Sequence, residues 1–183
     1  IGADDQKSGR LAAEVLGHMI PGNGSVQILV PRESRSNQQS TRQRLEGFLA
    51  GIRALRPSLR LLPPLEARDS PAGIAEALSD ILSTRRPDGI YDLTCRLEII
   101  SRTLRRKGME DTALVGMDLF PEIVPFIRDH TIDAVIFQNL KAQAYLACRL
   151  LFEQMCYGTT LPQKTCYSRL EIVMSGNLEY YLE

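Results

Sequence analysis

Residues 25–55 read SVQILVPRESRSNQQSTRQRLEGFLAGIRAL, and this stretch decides the fold. Ser25 to Val30 (SVQILV) is a short apolar run rich in β-branched residues, the pattern of a buried strand. A polar loop from Pro31 to about Asn37 follows. Gln38 to Leu55 then place Leu45, Phe48, Leu49 and Ile52 on one helical face, and the helix stops before Pro57. A buried strand, a loop and a long helix open a βαβ unit, whose next strand runs parallel to the first.

The alternation extends in both directions. Upstream, a helix from about Asp5 to Ile20 carries Leu11, Ala12, Val15, Leu16 and Met19, and ends at Pro21-Gly22-Asn23-Gly24. Downstream, Leu59 to Leu62 is strand-like, and Pro63 and Pro64 end it early, as at a sheet edge. Ser70 as N-cap and Pro71 in the first turn start a helix that runs to about Thr84. Strands are expected at Gly89–Thr94, Ala113–Met117, Ala134–Phe137 and Leu170–Met174. Helices are expected at Arg96–Lys107, stopped by Gly108, at Pro121–Asp129 and at Leu140–Met155, with an irregular stretch from Tyr157 to Tyr167. The fold class is therefore α/β, with parallel sheet and helices on both faces. Ile1-Gly2-Ala3 reads as the end of a strand whose beginning is absent, so the chain is expected to be a piece of a longer polypeptide.

A length of 183 residues and 20.5 kDa suits one generous domain or two small lobes. Lys plus Arg is 22 and Asp plus Glu is 22, a net charge of zero that argues against bulk nucleic-acid binding by this stretch. No apolar run approaches the roughly twenty residues of a membrane span. The opening IGADDQKSGR has polar residues where a signal peptide would carry its apolar region. Cys95, Cys148, Cys156 and Cys166 form no CxxC pair, and with only His18 and His130 beside them no metal site is expected. Four scattered thiols point to a reducing, cytoplasmic compartment. No P-loop, GxSxG or GxGxxG occurs, and neither histidine has triad spacing, so neither an enzyme nor a cofactor is expected. The basic run Arg102, Arg105, Arg106 and Lys107 suits a helix C-terminus, either solvated or as a subunit contact.

Four stretches in order, DDQKSGRLAAEVL, TRQRLEGFLAGI, ALVGMDLFPE and TIDAVIFQNLKAQAYLACRLL, resemble the effector-binding domain of LacI-type (lactose-repressor family) transcription regulators. That family shares the type I periplasmic-binding-protein fold, with two Rossmann-like lobes, three chain crossings and a small ligand in the cleft. The resemblance covers nearly the whole chain. It implies that residues 1–20 and 134–156 belong to a partial N-terminal lobe. Residues 25–130 and 168–183 would then make a nearly complete C-terminal lobe. It further implies a homodimer, and operator DNA bound through a head outside this chain. The other reading is a solute-binding protein that delivers a sugar to a transporter.

The site expectations combine this resemblance with the rule that open parallel sheets bind ligands beyond the carboxyl ends of their strands. Asp4, Asp92, Thr94, Asp118 and Gln138 all fall at such ends. Carboxylates accept from sugar hydroxyls, arginine donates in a rigid fork, and glutamine does both. Spacing alone makes Arg44 a solvated helix arginine beside Arg42 and Glu46; the family's R-x-x-G-F motif puts it in the cleft. Asp118 is either a ligand contact or a cap for the following helix, and Gln138 has the same two readings. Where the family often has Asn-Asp after the third strand of the lobe, this chain has Leu93-Thr94, so the usual hexose contact is lost. Arg96 could compensate, which would favour an acidic or phosphorylated ligand.

Overall fold

Val26, Ile28 and Leu29 have no solvent exposure, because the strand that carries them lies inside a seven-stranded sheet. The computed structural model describes residues 1–32, 38–160 and 165–182. Helix α1 (Asp5–Met19) precedes strand β1 (Ser25–Pro31), followed by α2 (Gln38–Leu55), β2 (Arg60–Leu61) and β3 (Leu65–Ala67). Then come α3 (Pro71–Thr84), β4 (Gly89–Asp92), α4 (Leu97–Arg106), β5 (Ala113–Met117) and α5 (Val124–Arg128). The chain ends with β6 (Ala134–Phe137), α6 (Leu140–Tyr157), β7 (Glu171–Val173) and a 3-10 stretch over Ser175–Tyr181.

The strand order is β2-β1-β4-β5-β6-β7, with β3 also on β1. Every pairing from β1 to β6 is parallel, as crossover helices require. Alternate strand residues feed two cores. Val26, Ile28, Tyr91, Val115 and Ile136 face α1 and α2, whereas Leu29, Ile90, Leu114 and Val135 face α3, α4 and α5. Covering both faces in this way accounts for the continuous apolar runs in the strands. Among the described residues, no helix is long and apolar enough to cross a membrane.

Several departures from the expected elements have local causes. The edge strand continues past Pro63-Pro64 as β3, so β2 and β3 pair with successive halves of β1. The prolines remove ladder donors, and the buried Gln27 donates from Nε2 to the Pro63 carbonyl at 2.9 Å across the break. Residues 121–123 form a 3-10 turn before α5, since Pro125 has no N–H to give to the Pro121 carbonyl. Strand β7 is antiparallel to β6. The chain leaves the carboxyl end of β6 into α6, which buries no residue, and re-enters from the same end. There Tyr167 forms a parallel bridge with Gly2, and Ser168 N–H donates to the Gly2 carbonyl at 2.8 Å.

The packing corrects the expected division of the chain. Residues 1–20 were grouped with 134–156, apart from 25–130, yet α1 packs along α2 and over β5 and β6, and β6 lies between β5 and β7. Residues 1–20, 25–130 and 134–137 therefore share one sheet and its two cores. Only α6, within the expected 134–156 segment, stands off this body. The 168–183 segment joins the sheet through β7, and Leu178 is buried beyond it.

Candidate functional site

The carboxyl ends of β1, β4 and β5 open into one cleft of about 540 Å³. Its walls include Pro31 at the end of β1, Thr41 and Arg44 from α2, Thr94 and Arg96 after β4, and Phe120 after β5. Arg44 is held from two sides. Its Nε donates to Asp5 Oδ1 at 2.7 Å, with both side chains only 14% exposed, and one Nη donates to Gln138 Oε1 at 3.4 Å. Gln138 in turn donates from Nε2 to Asp118 Oδ2 at 2.8 Å. Asp5, Arg44, Gln138 and Asp118 thus form one polar chain across α1, α2, β6 and β5.

Asp118 has a left-handed backbone, φ 61°, fixed where its N–H donates to the Ile136 carbonyl at 2.9 Å. Its side chain is buried, and Oδ1 has no hydrogen-bond partner among the described residues. Burial raises its pKa above the ordinary carboxyl value, while the Arg44 charge and the Gln138 hydrogen bonds pull the other way. A buried acceptor left open calls for a donor. The capping alternatives do not hold. No side chain caps the turn after Asp118, and α6 is capped by Asn139, whose Oδ1 accepts from Ala142 N–H at 2.9 Å.

The turn after β4 is built around Asp92. Its Oδ1 accepts from Thr94 N–H at 2.8 Å and Thr94 Oγ1 at 2.6 Å, and its Oδ2 accepts from Arg96 N–H at 3.1 Å. Complete burial pushes the Asp92 carboxyl up to about 6 against those three bonds. Thr94 lines the cleft but has its proton engaged by Asp92, and it does not cap α4. Arg96 also lines the cleft, with Nη2 3.8 Å from Asp69 and both groups 42% exposed, a loose surface pair. Glu98 and Glu122 share those walls, so the surroundings of Arg96 do not favour an anionic ligand. Asp4 is taken up elsewhere: it caps α1, with Oδ1 accepting from Lys7 N–H at 3.0 Å and Oδ2 3.1 Å from Lys7 Nζ. Its neighbour Asp5 is the residue that reaches Arg44, and sequence reasoning missed it. The signal was the Asp4-Asp5 pair at a helix start, where the first carboxylate is spent on the cap.

The sequence profile of the periplasmic binding protein domain matches residues 1–159. The chain belongs to that family. No curated protein matches the sequence. Among solved structures, the domain is similar to a candidate LacI transcriptional regulator from Bacteroides fragilis: TM-score 0.87, 19% identity, 98% of this chain and 62% of that one. It is also similar to a periplasmic solute-binding protein of an ABC transporter from Actinobacillus succinogenes with bound D-allose: TM-score 0.85, 21% identity, 99% and 62% coverage. A third is the Caulobacter myo-inositol binding protein bound to myo-inositol: TM-score 0.83, 22% identity, 98% and 61% coverage. At these identities the likeness is one of fold, and this periplasmic binding protein domain spans about 62% of those chains.

The R-x-x-G-F stretch of this domain has a physical reading in each residue. Arg44 faces the cleft. Gly47 lies so close to the α1 backbone that a Cβ there would collide with the Gln6 carbonyl, and Gly9 faces the Arg44 carbonyl equally closely. Phe48 is fully buried and stacks on Tyr91 of β4 at 4.3 Å between ring centres. The motif thereby sets the height of α2 above the sheet and the reach of Arg44. Arg42, by contrast, is exposed and pairs with Glu46 at 3.3 Å.

Proposed function

We propose that this periplasmic binding protein domain binds a sugar or sugar derivative and serves as the ligand sensor of a LacI-type transcription regulator. Arg44, Asp118 and Gln138 are its central contacts, with Asp5 holding Arg44 in place, Thr94 and Arg96 on the wall, and Asp4 in a supporting role as cap. The observation that carries the reading is the open, buried Asp118 Oδ1 at the end of a chain of donors and acceptors beside the cleft. Sugar hydroxyls are both donors and acceptors, so they complete such a chain; a purely apolar ligand would leave Asp118 unpaired. Membership of the periplasmic binding protein family, with neighbours described with sugars bound, supports a binding domain rather than an enzyme. A neutral polyol fits the walls better than a phosphate, because Arg44 is already neutralised by Asp5 and three carboxylates share the cleft with Arg96.

In the regulator, ligand would close two lobes about the chain crossings and change the spacing of DNA-binding heads in a cytoplasmic homodimer. By linkage, operator DNA would then alter ligand affinity by the same factor. The test is operator binding by the full-length protein with and without the sugar; no ligand dependence would end the regulator reading. The second reading, a solute-binding protein that delivers sugar to a transporter, draws support from relatives described with D-allose and myo-inositol bound. The residues preceding Ile1 in the gene separate the two: a helix-turn-helix favours the regulator, and a signal peptide or lipobox favours transport.

A further inference from the structure

A second concavity, of about 470 Å³, lies on the sheet face opposite α1 and α2, between α3, α4 and α5. Its floor is apolar, with Pro71 and Ala75 from α3, Ile99 from α4 and Phe126 from α5. Its rim is cationic, with Arg102, Arg105 and Arg106 spaced so that all three guanidiniums fall along one side of α4. Arg105 is committed: it pairs with Asp129 and donates to Thr131 Oγ1 from Nε at 3.2 Å and from Nη2 at 3.0 Å. Arg102 and Arg106 have no carboxylate partner among the described residues, and Arg106 donates only to Thr103 Oγ1, at 3.1 Å. The guanidinium carbons of Arg102 and Arg105 stand 5.6 Å and 4.8 Å from the same Phe126 ring.

The helix macrodipole accounts for basic residues in the last turn of α4. It does not account for Arg102, a full turn earlier, nor for like charges at i,i+3 and i,i+4 gathered over an apolar hollow, an arrangement that repels itself. The Phe126 face offsets part of that repulsion, since a ring attracts a cation to its face. A bound anion would offset the rest.

We propose that this groove is a binding site for a small amphipathic anion, a carboxylate or phosphate head on a flat apolar body. The head is taken by Arg102 and by the remaining donors of Arg106, guanidiniums that match a carboxylate or phosphate with hydrogen bonds. The body lies on Ile99, Ala75 and Pro71. The site is separate from the sugar cleft and does not depend on what that cleft binds.

Calorimetric titration of the full-length protein with 2-naphthoate and phenyl phosphate tests it, with 2-naphthalenemethanol and inorganic phosphate as single-feature controls. Both aryl anions are expected to bind one per chain, at least tenfold more tightly than either control. Arg102→Ala and Arg106→Ala are each expected to weaken them about tenfold or more, as loss of a charged hydrogen-bond partner does. Arg102→Gln, which keeps the stem over Phe126, serves as the folded comparison and should weaken binding similarly. The proposal is overturned if the aryl anions bind no better than the controls, or if their affinity is unchanged in Arg102→Gln. It is equally overturned if the full-length protein buries this groove between two copies.

Discussion

Arg44 donates to Asp5 and to Gln138, so removing it acts on the fold and on the site together. Arg44→Ala is expected to cost about 1–3 kcal/mol by leaving Asp5 half-buried and unpaired, and to abolish sugar binding. Replacing both partners with apolar residues, Arg44→Met with Asp5→Leu, should recover most of that stability in urea unfolding and none of the binding. A folded Arg44→Ala protein that kept its affinity would remove Arg44 from the site. Asp118 makes a pH prediction. Its pKa is raised, and protonation turns the free acceptor into a donor, so affinity for a neutral sugar should fall on acidification, starting above the ordinary carboxyl range. Asp118→Asn should bind weakly and with no such slope; a flat wild-type profile would contradict the role. Arg44, Asp118 and Gln138 could be named as candidates from the sequence because each lies in a motif or at a strand end. Asp5 was not, because only the packing of α1 on α2 brings it to Arg44.

Helix α2 owes its position to a backbone-to-backbone approach. Gly47→Ala would drive α2 away from α1, with an expected loss of about 1–3 kcal/mol and weaker ligand binding, since Arg44 moves with the helix. Equal stability of this variant in chemical denaturation would contradict the close contact. Helix α6 has the opposite character: Leu140, Tyr145, Leu151, Phe152 and Met155 are each more than half exposed. In the 183-residue chain its amides are expected to exchange with deuterium far faster than those of α1 and α2, because none of its residues is buried. Matching protection in mass-spectrometric exchange would contradict that. Element types were readable from periodicity and breakers, and Ser70 and Pro71 sit where the helix start was expected. Strand β3 was hidden, since two prolines look like an end when the partner strand simply continues beyond them.

At the scale of the molecule, the same sheet that builds both cores also aims the polar strand ends at one cleft. Its buried carboxyls have a cost with a definite sign. Asp92, at about 6 when folded against about 3.9 unfolded, stabilises fully below the unfolded value and loses that contribution as pH rises through about 6. Asp118 and Asp133 are raised in the same sense by burial. Asp129 and Asp88 are lowered by their hydrogen-bond partners and act oppositely, losing stability as pH falls below the ordinary carboxyl range. The melting temperature should therefore be higher near pH 5.5 than near pH 8, with the difference reduced in Asp92→Asn. The α/β class followed from the alternation of strands and helices. The assignment of segments to lobes did not, because it came from a resemblance, whereas α1 lies against α2 through close glycine-to-backbone contacts that no periodicity reports.

The central claim is that Asp118, Gln138 and Arg44 hold a polyhydroxylated ligand. The most direct measurement is a thermal-shift titration of the full-length protein against neutral sugars, uronic acids and sugar phosphates, with hits confirmed by calorimetry and repeated in Asp118→Ala. A dose-dependent rise in melting temperature with a neutral sugar, lost in Asp118→Ala, is the predicted result. No rise with any member of the panel, or the same rise in Asp118→Ala, would contradict it.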